Sequence, residues 1–232
     1  MPIKVAAAPR SALKLLQAGI EEYLSSGLVD PKLIDAKLAD AKLEQIVGHT
    51  ALYRVFNLGL DALVAGRPLA EAAKQIGWRA ELLDNNKHTV AAAELVITRA
   101  GLRFSDVSFK PDSEVSEDSN TVVERWSHEV KGDHEFSLLR IPGAYCSLYW
   151  LRSNDGTADQ FVPIAPCPKS LTRGKIYSES ELRAALRPQA LKQLAFAPAA
   201  TKRRSQQRAV KKHSRRRASK PAKAKRRSRQ RR

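Results

Sequence analysis

The sequence is poor in the residues that mark common functional sites. Its 232 residues include only two cysteines, Cys146 and Cys167, which are too few for a disulfide framework and are not spaced as zinc ligands. No apolar run approaches the roughly 18 residues that a membrane-spanning helix needs. The eleven glycines are scattered, and they match no phosphate-binding or dinucleotide-binding motif. We therefore expect a soluble protein with no metal site, no cofactor and no membrane contact.

Acidic residues are missing altogether from the C-terminal segment 202–232, which we call the tail. The tail also lacks aromatic residues, and Val210 is its only large apolar residue. It carries 17 lysines and arginines, whereas residues 1–201 carry 24 basic and 24 acidic residues, so the whole formal net charge of +17 lies in the tail. Because such a segment cannot bury enough apolar surface to offset its ordering entropy, the tail is predicted to be disordered.

The composition of the tail indicates contact with a polyanion. Lysine and arginine neutralise phosphates and release condensed counterions, so the tail is predicted to bind DNA or RNA with little sequence preference. The predicted nucleic-acid-binding residues are all the basic residues of the tail: Lys202, Arg203, Arg204, Arg208, Lys211, Lys212, Arg215, Arg216, Arg217, Lys220, Lys223, Lys225, Arg226, Arg227, Arg229, Arg231 and Arg232.

Two kinds of function fit this division of charge. In the first, the chain is a non-enzymatic accessory protein that binds nucleic acid through the tail, while residues 1–201, which we call the body, engage a protein partner. In the second, the body is a protein-binding adaptor or an enzyme, and the tail is only a localisation signal. We favour the first, because so many positive charges without one acid exceed what solubility requires. Its expected location is the bacterial cytoplasm, on the nucleoid, or the eukaryotic nucleus.

The predicted fold class is α+β, with a helical N-terminal half. After a flexible segment 1–10, residues 11–100 are predicted to be helical. The spacing of apolar residues predicts helices from Ser11 to Gly27, from Asp30-Pro31 onwards and across 52–63. Shorter helices are predicted over 69–76, 79–84 and 88–100.

The second half, 101–197, is predicted to hold a small antiparallel meander and a closing helix, followed by the disordered region 198–232. Turn signals separate runs that are rich in β-branched and aromatic residues. The predicted strands are Leu102–Phe109, Thr121–Val130, His134–Ile141, Ala144–Arg152 and Gln160–Ile164. Ser178 and Glu181 form a capping box for the closing helix, with Pro188 as its end.

A helix-turn-helix is one reading of Leu69–Asn85, with Ala73, Gly77 and Leu83 at the packing and turn positions. Ordinary helical packing is the other reading, and we favour it, because Glu81 and Asp84 on the second helix would repel phosphates.

The meander offers three further candidate sites, which are a set of His–Glu pairs, a cysteine and a cluster of aromatic residues. A hairpin at Lys131-Gly132 would place His128 opposite Glu135 and Glu129 opposite His134, but on different faces, so the four groups cannot share a metal ion. Cys146 and one of these histidines could form a thiolate–imidazole couple. However, Cys146 lies in a run typical of a buried strand, where a thiol is inert. We assign no catalytic residue.

Aromatic residues cluster in the same meander. Phe136 is predicted to face Tyr149, and Arg140 to face Tyr145, on one side of the sheet. Such a surface could stack single-stranded bases, although the core of a small sheet is the interpretation we favour.

Overall fold

The computed structural model describes residues 3–25, 48–86, 89–108, 126 and 128–196. A boundary between two units falls after Leu191. The described residues of the first unit form a ten-stranded sheet, and residues 192–196 of the second unit are helical.

The strands of this sheet are numbered in chain order. They are β1 (Lys4–Val5), β2 (Gly48–His49), β3 (Tyr53–Asn57), β4 (Lys74–Leu83), β5 (Thr89–Thr98), β6 (Gly101–Ser108), β7 (His134–Ile141), β8 (Cys146–Ser153), β9 (Gln160–Ile164) and β10 (Tyr177–Ser178). Eight of them follow one another across the sheet in the order β10-β9-β8-β7-β3-β4-β5-β6.

The sheet consists of two antiparallel halves that meet at one parallel pair. Antiparallel pairing of strands that are consecutive in the chain builds β3–β6 and β7–β10, and the two halves meet where β3 runs parallel to β7, with Arg54 beside Ser137 and Asn57 beside Arg140. We call this pairing the seam. The short β1 also runs parallel to β7, and β2 extends the pairing of β4.

Four helices among the described residues pack on one face of the sheet, which we call the helix face. They are α1 (Arg10–Ser25), α2 (Leu60–Ala65), α3 (Leu69–Ala72) and the helix α4, whose residues 179–196 extend past the unit boundary. Within the first unit, α1 covers β4–β6 through Ala12 and Leu16, whereas α2, α3 and α4 cover β7–β10. None of the described helices is both long and apolar enough to cross a membrane.

The other face carries a third core, in which Trp126 and Val130 lie against side chains of β3, β7, β8 and β9. The largest of these buried side chains are aromatic, and Phe136 packs against Tyr53 with ring centroids 5.1 Å apart. Both faces of the sheet centre are therefore buried.

The predicted helical N-terminal half is wrong, because most of the described residues between 48 and 100 lie in the sheet, whereas the strand expected at Leu102–Phe109 is present over Gly101–Ser108. In β3, Val55 is buried on one face and Phe56 on the other. A strand with two buried faces loses the alternation of apolar and polar residues, so its apolar spacing resembled that of a helix. Among the described residues of this half, the helices are α1 and two short ones at 60–65 and 69–72. The helix predicted from Asp30-Pro31 lies outside the described residues.

Alanine misled the prediction of a helix over 88–100. Ala91, Ala92 and Ala93 are strong helix formers, but here they are completely buried in β5. Ala91 and Ala93 are small enough to fit beneath α1, which lies close to the sheet, whereas Ala92 lies on the opposite face. A Cβ atom on Gly19 of α1 would lie 2.1 Å from the ring of Phe104. Tertiary packing therefore outweighs helix propensity in this segment.

The second half agrees better with the prediction. The strands expected at His134–Ile141 and Gln160–Ile164 are present, and that at Ala144–Arg152 is present over Cys146–Ser153. No strand forms at 128–129, which are helical. The turn after β7 is a 3-10 helix, Pro142–Ala144, rather than a two-residue hairpin turn.

The capping box of α4 is present, but the predicted helix end is wrong. The hydroxyl of Ser178 accepts a hydrogen bond from the Glu181 backbone N–H at 3.3 Å, and the Glu181 carboxylate accepts one from the Ser178 backbone N–H at 2.8 Å. The helix continues through Pro188 to residue 196.

Candidate functional site

Two clusters of charged side chains lie on opposite faces of the sheet and bridge the seam. The closed cluster comprises Arg79, Glu81, Glu94 and Arg140, on the face opposite the helix face. The open cluster comprises Arg54, Glu135 and Arg152, on the helix face. Each contains two arginines, but the closed cluster has two carboxylates and the open cluster has one.

In the closed cluster, Glu94 is held between two arginines. Its Oε1 accepts a hydrogen bond from Nη1 of Arg79 at 2.8 Å, and its Oε2 accepts one from Nη1 of Arg140 at 2.9 Å. Nη2 of Arg140 also donates to Oε1, so the Arg140–Glu94 contact is bidentate. This geometry is the strongest that a guanidinium and a carboxylate can form.

The same contact shows that the sheet is curved. Glu94 belongs to β5 and Arg140 to β7, and both β3 and β4 lie between these strands. At a spacing of about 4.8 Å per strand, β5 and β7 would be about 14 Å apart in a flat sheet, which makes a direct contact difficult. The sheet therefore curves around the closed cluster, and we call this face the concave face.

Glu81 completes the closed cluster. Its Oε1 accepts a hydrogen bond from the hydroxyl of Tyr53 and lies 3.4 Å from Nε of Arg79. Burial, and then the charge of Glu81, raise the pKa of Tyr53 well above its usual value, so this phenol stays protonated.

The electrostatics of Glu94 favour its ionised form. Burial alone would raise its pKa, but the hydrogen bonds and charges of Arg140 and Arg79 outweigh burial and lower it. A carboxylate held in this way does not take up a proton near neutral pH. The closed cluster is therefore suited to holding strands together and not to acid–base chemistry.

The open cluster has a looser geometry. Nη1 of Arg54 lies 3.5 Å from Oε1 of Glu135, and Nη1 of Arg152 lies 3.6 Å from the same oxygen. These distances exceed those of good hydrogen bonds. Within the described residues, the buried Nε atoms of both arginines lack a hydrogen-bond partner.

Aromatic rings support both arginines of the open cluster. The guanidinium carbon of Arg54 lies 5.9 Å from the ring centroid of Trp78. That of Arg152 lies 5.0 Å from the centroid of Phe56 and 4.9 Å from that of Trp150. Cation–π contacts of this kind hold a guanidinium in place without using its N–H donors.

The sequence-predicted sites fall in different places. All the predicted nucleic-acid-binding residues, 202–232, lie outside the described residues. Both readings of Leu69–Asn85, a helix-turn-helix and ordinary helical packing, are wrong, because only Leu69–Ala72 is helical and Lys74–Leu83 is strand β4. No hairpin forms at Lys131-Gly132, and Glu135 contacts arginines instead of His128.

Cys146 is buried at the start of β8, as expected of an inert thiol. Burial, and then the charge of Cys167, raise its pKa to about 12, so the nucleophilic thiolate is scarce at neutral pH. Among the described residues, no group of three or more His, Cys, Asp or Glu side chains could hold a metal ion.

The aromatic cluster of the meander forms core. Phe136 and Tyr149 share one face with ring centroids 4.9 Å apart, and both are buried, so they are not available to stack bases. Arg140 lies opposite Ser147 and not Tyr145, because the longer turn shifts the register by two residues. Tyr145 has a left-handed backbone (φ 49°) and is 75% exposed.

Sequence reasoning missed both charge clusters, although one local signal was present. In β4, Arg79 and Glu81 alternate with Trp78, Ala80 and Leu82, the period of a strand that buries charges on one face. Reading this segment as a helix hid the alternation.

Comparisons with protein-family models, with curated proteins and with solved structures found no match for this chain.

Proposed function

We propose that this chain is a non-enzymatic accessory protein that holds itself on DNA or RNA through the tail, 202–232. The observation that carries the proposal is the division of charge. The tail has 17 basic residues and no acid, and the remainder of the chain is electrically balanced. Affinity would come from lysine and arginine contacts with phosphates, without readout of bases.

The chemistry of the described residues supports a binding role over a catalytic one. The carboxylates of the closed cluster are paired with arginines, and the high pKa of Cys146 leaves little thiolate for nucleophilic attack. The body would then serve to contact a protein partner or to position the tail.

The test measures binding of the full chain to duplex DNA and to single-stranded RNA over a range of salt concentrations. We expect log K to fall with log salt with a slope of about −5 or steeper, since each neutralised phosphate contributes about −0.9 on duplex DNA. A full-length variant with every tail lysine and arginine replaced by glutamine should lose most of the affinity.

A second variant separates this proposal from a localisation signal. It keeps the composition of residues 202–232 but shuffles their order. Phosphate binding depends on charge and should survive shuffling, whereas a signal that a receptor reads in sequence should be lost. Binding that is insensitive to salt, or that the glutamine variant retains, would show that the tail is not the binding element.

A further inference from the structure

We infer that the open cluster is a binding site for an oxyanion, that is, for the carboxylate or phosphate group of a ligand. The site consists of Arg54 and Arg152 on the helix face of the sheet. It does not depend on the tail or on the function proposed above.

The first argument is charge. Two guanidinium groups approach one carboxylate oxygen of Glu135, so the cluster carries one positive charge in excess. The side chains are only partly exposed, 33% for Arg54 and 27% for Arg152. Like charges in partly buried positions repel one another more strongly than in water, and a bound anion would relieve this repulsion.

The second argument is hydrogen bonding. Each guanidinium has five N–H donors, and within the described residues Glu135 is the only carboxylate in an ion pair with either arginine, at 3.5 and 3.6 Å. Buried donors without a partner are rare in folded proteins, and a missing water or ion commonly explains them. The buried Nε atoms of Arg54 and Arg152 are such donors.

The third argument is preorganisation. The rings of Trp78, Phe56 and Trp150 lie against the two guanidinium groups. Because these side chains are already positioned, little conformational entropy is lost when a ligand binds. The planar fork of arginine matches both carboxylate and phosphate, which defines the ligand by its oxyanion group.

The closed cluster is the internal comparison. There, Arg79 and Arg140 already donate to Glu94 at hydrogen-bond distance, so no acceptor is missing. Arginines and glutamates on the opposite face therefore form hydrogen bonds at normal distances. The open cluster contains the same residue types, but its arginines lie 3.5 and 3.6 Å from the carboxylate oxygen.

Tryptophan fluorescence of the full chain provides the test. Two of the three tryptophans, Trp78 and Trp150, lie against the arginines of the site, and the tail contains none. Anions that bind only to the tail therefore leave the signal unchanged. The chain is titrated with inorganic phosphate and, separately, with succinate, at constant ionic strength set by chloride.

We expect a saturable change in fluorescence with at least one of the two anions. Phosphate alone, succinate alone or both would each support the site and would assign the class of ligand. Replacing Arg54 or Arg152 by glutamine should weaken binding about tenfold, because one charge-assisted hydrogen bond is lost. Arg54→Lys keeps the charge without the fork and should bind with intermediate affinity.

The matched control is Arg103→Gln, which removes the same charge from an exposed position on β6. It should bind like the wild type. Circular dichroism of every variant reports whether it is folded, and Arg54→Lys keeps the test available if a glutamine variant unfolds. No saturable response to either anion in the wild type, or equal responses in all variants, would overturn the assignment.

Discussion

The two charge clusters use the same residue types at the same seam, but only one of them is satisfied. On the concave face, Arg140 and Glu94 form a bidentate pair, and Arg79 donates to the same carboxylate. On the helix face, Arg54 and Arg152 approach Glu135 without forming a hydrogen bond. The comparison shows that a cluster of arginines on a sheet cannot be interpreted from its composition alone. The number of acceptors within reach separates a structural pairing from a surface with free binding capacity.

The difference also concerns the strands that each cluster connects. In the closed cluster, the Arg140–Glu94 pair reaches from β7 across β3 and β4 to β5, so it fixes the curvature of the sheet. In the open cluster, the ion pairs of Arg54 and Arg152 join neighbouring strands, whose register backbone hydrogen bonds already determine. The closed cluster should therefore contribute more to stability.

The largest expected effect comes from breaking the closed cluster. Glu94→Gln removes the charge that compensates Arg79 and Arg140, and it should lower the free energy of unfolding by about 2–3 kcal/mol. Glu135→Gln, the same change in the open cluster, should cost only about 1 kcal/mol, because its ion pairs are long and partly solvated. Urea denaturation measures both. Equal losses for the two variants would remove the distinction between the clusters.

A smaller effect is expected from acid. The pKa of Glu94 is lower in the folded protein than its ordinary value of 4.5. Its contribution to stability is therefore fully present above that value and is lost as the pH falls towards the folded pKa. As the pH falls below 4.5, the wild type should lose more stability than Glu94→Gln.

Other carboxylates also titrate in this range, so the measured quantity is the difference between the two denaturation curves. The pKa of Asp133 is lowered by a hydrogen bond from Lys4, for example, but this contribution is common to both proteins. Parallel curves would contradict the assignment of acid sensitivity to Glu94.

The smallest effect is expected for Arg54→Gln in buffer without phosphate or carboxylate. The variant loses a cation–π contact and a long ion pair but also relieves repulsion with Arg152, so stability should change by no more than about 0.5 kcal/mol. Arg140→Gln serves as its counterpart and should cost about 2 kcal/mol. Thermal and urea unfolding measure both variants. A large loss of stability for Arg54→Gln would contradict this expectation and would mean that the open cluster is structural.

Local signals explain which parts of the fold could be predicted. The strands β7 and β9 were found because turn residues separate short runs that are rich in aromatic and β-branched side chains. The start of α4 was found because Ser178 and Glu181 form a capping box within a single turn. Each of these features depends on residues that are close in sequence.

The remaining features depend on partners that are distant in sequence. Parallel pairing of β3 with β7 has no local signature, and Ala91 and Ala93 of β5 lie in a strand that packs against α1 despite their helix propensity. The open cluster combines Arg54 with Glu135 and Arg152 from the other half of the sheet. No spacing rule brings these residues together, so this site could be recognised only in three dimensions.

The seam has a consequence for the kinetics of folding. Each half of the sheet is built from antiparallel pairs of strands that follow one another along the chain, whereas the pairing of Arg54 with Ser137 closes a long loop. Closing a long loop lowers the entropy of the chain before the long-range contacts that stabilise the pairing have formed. A high contact order therefore slows folding. We therefore expect the pairing of β3 with β7 to form late in folding and to limit its rate.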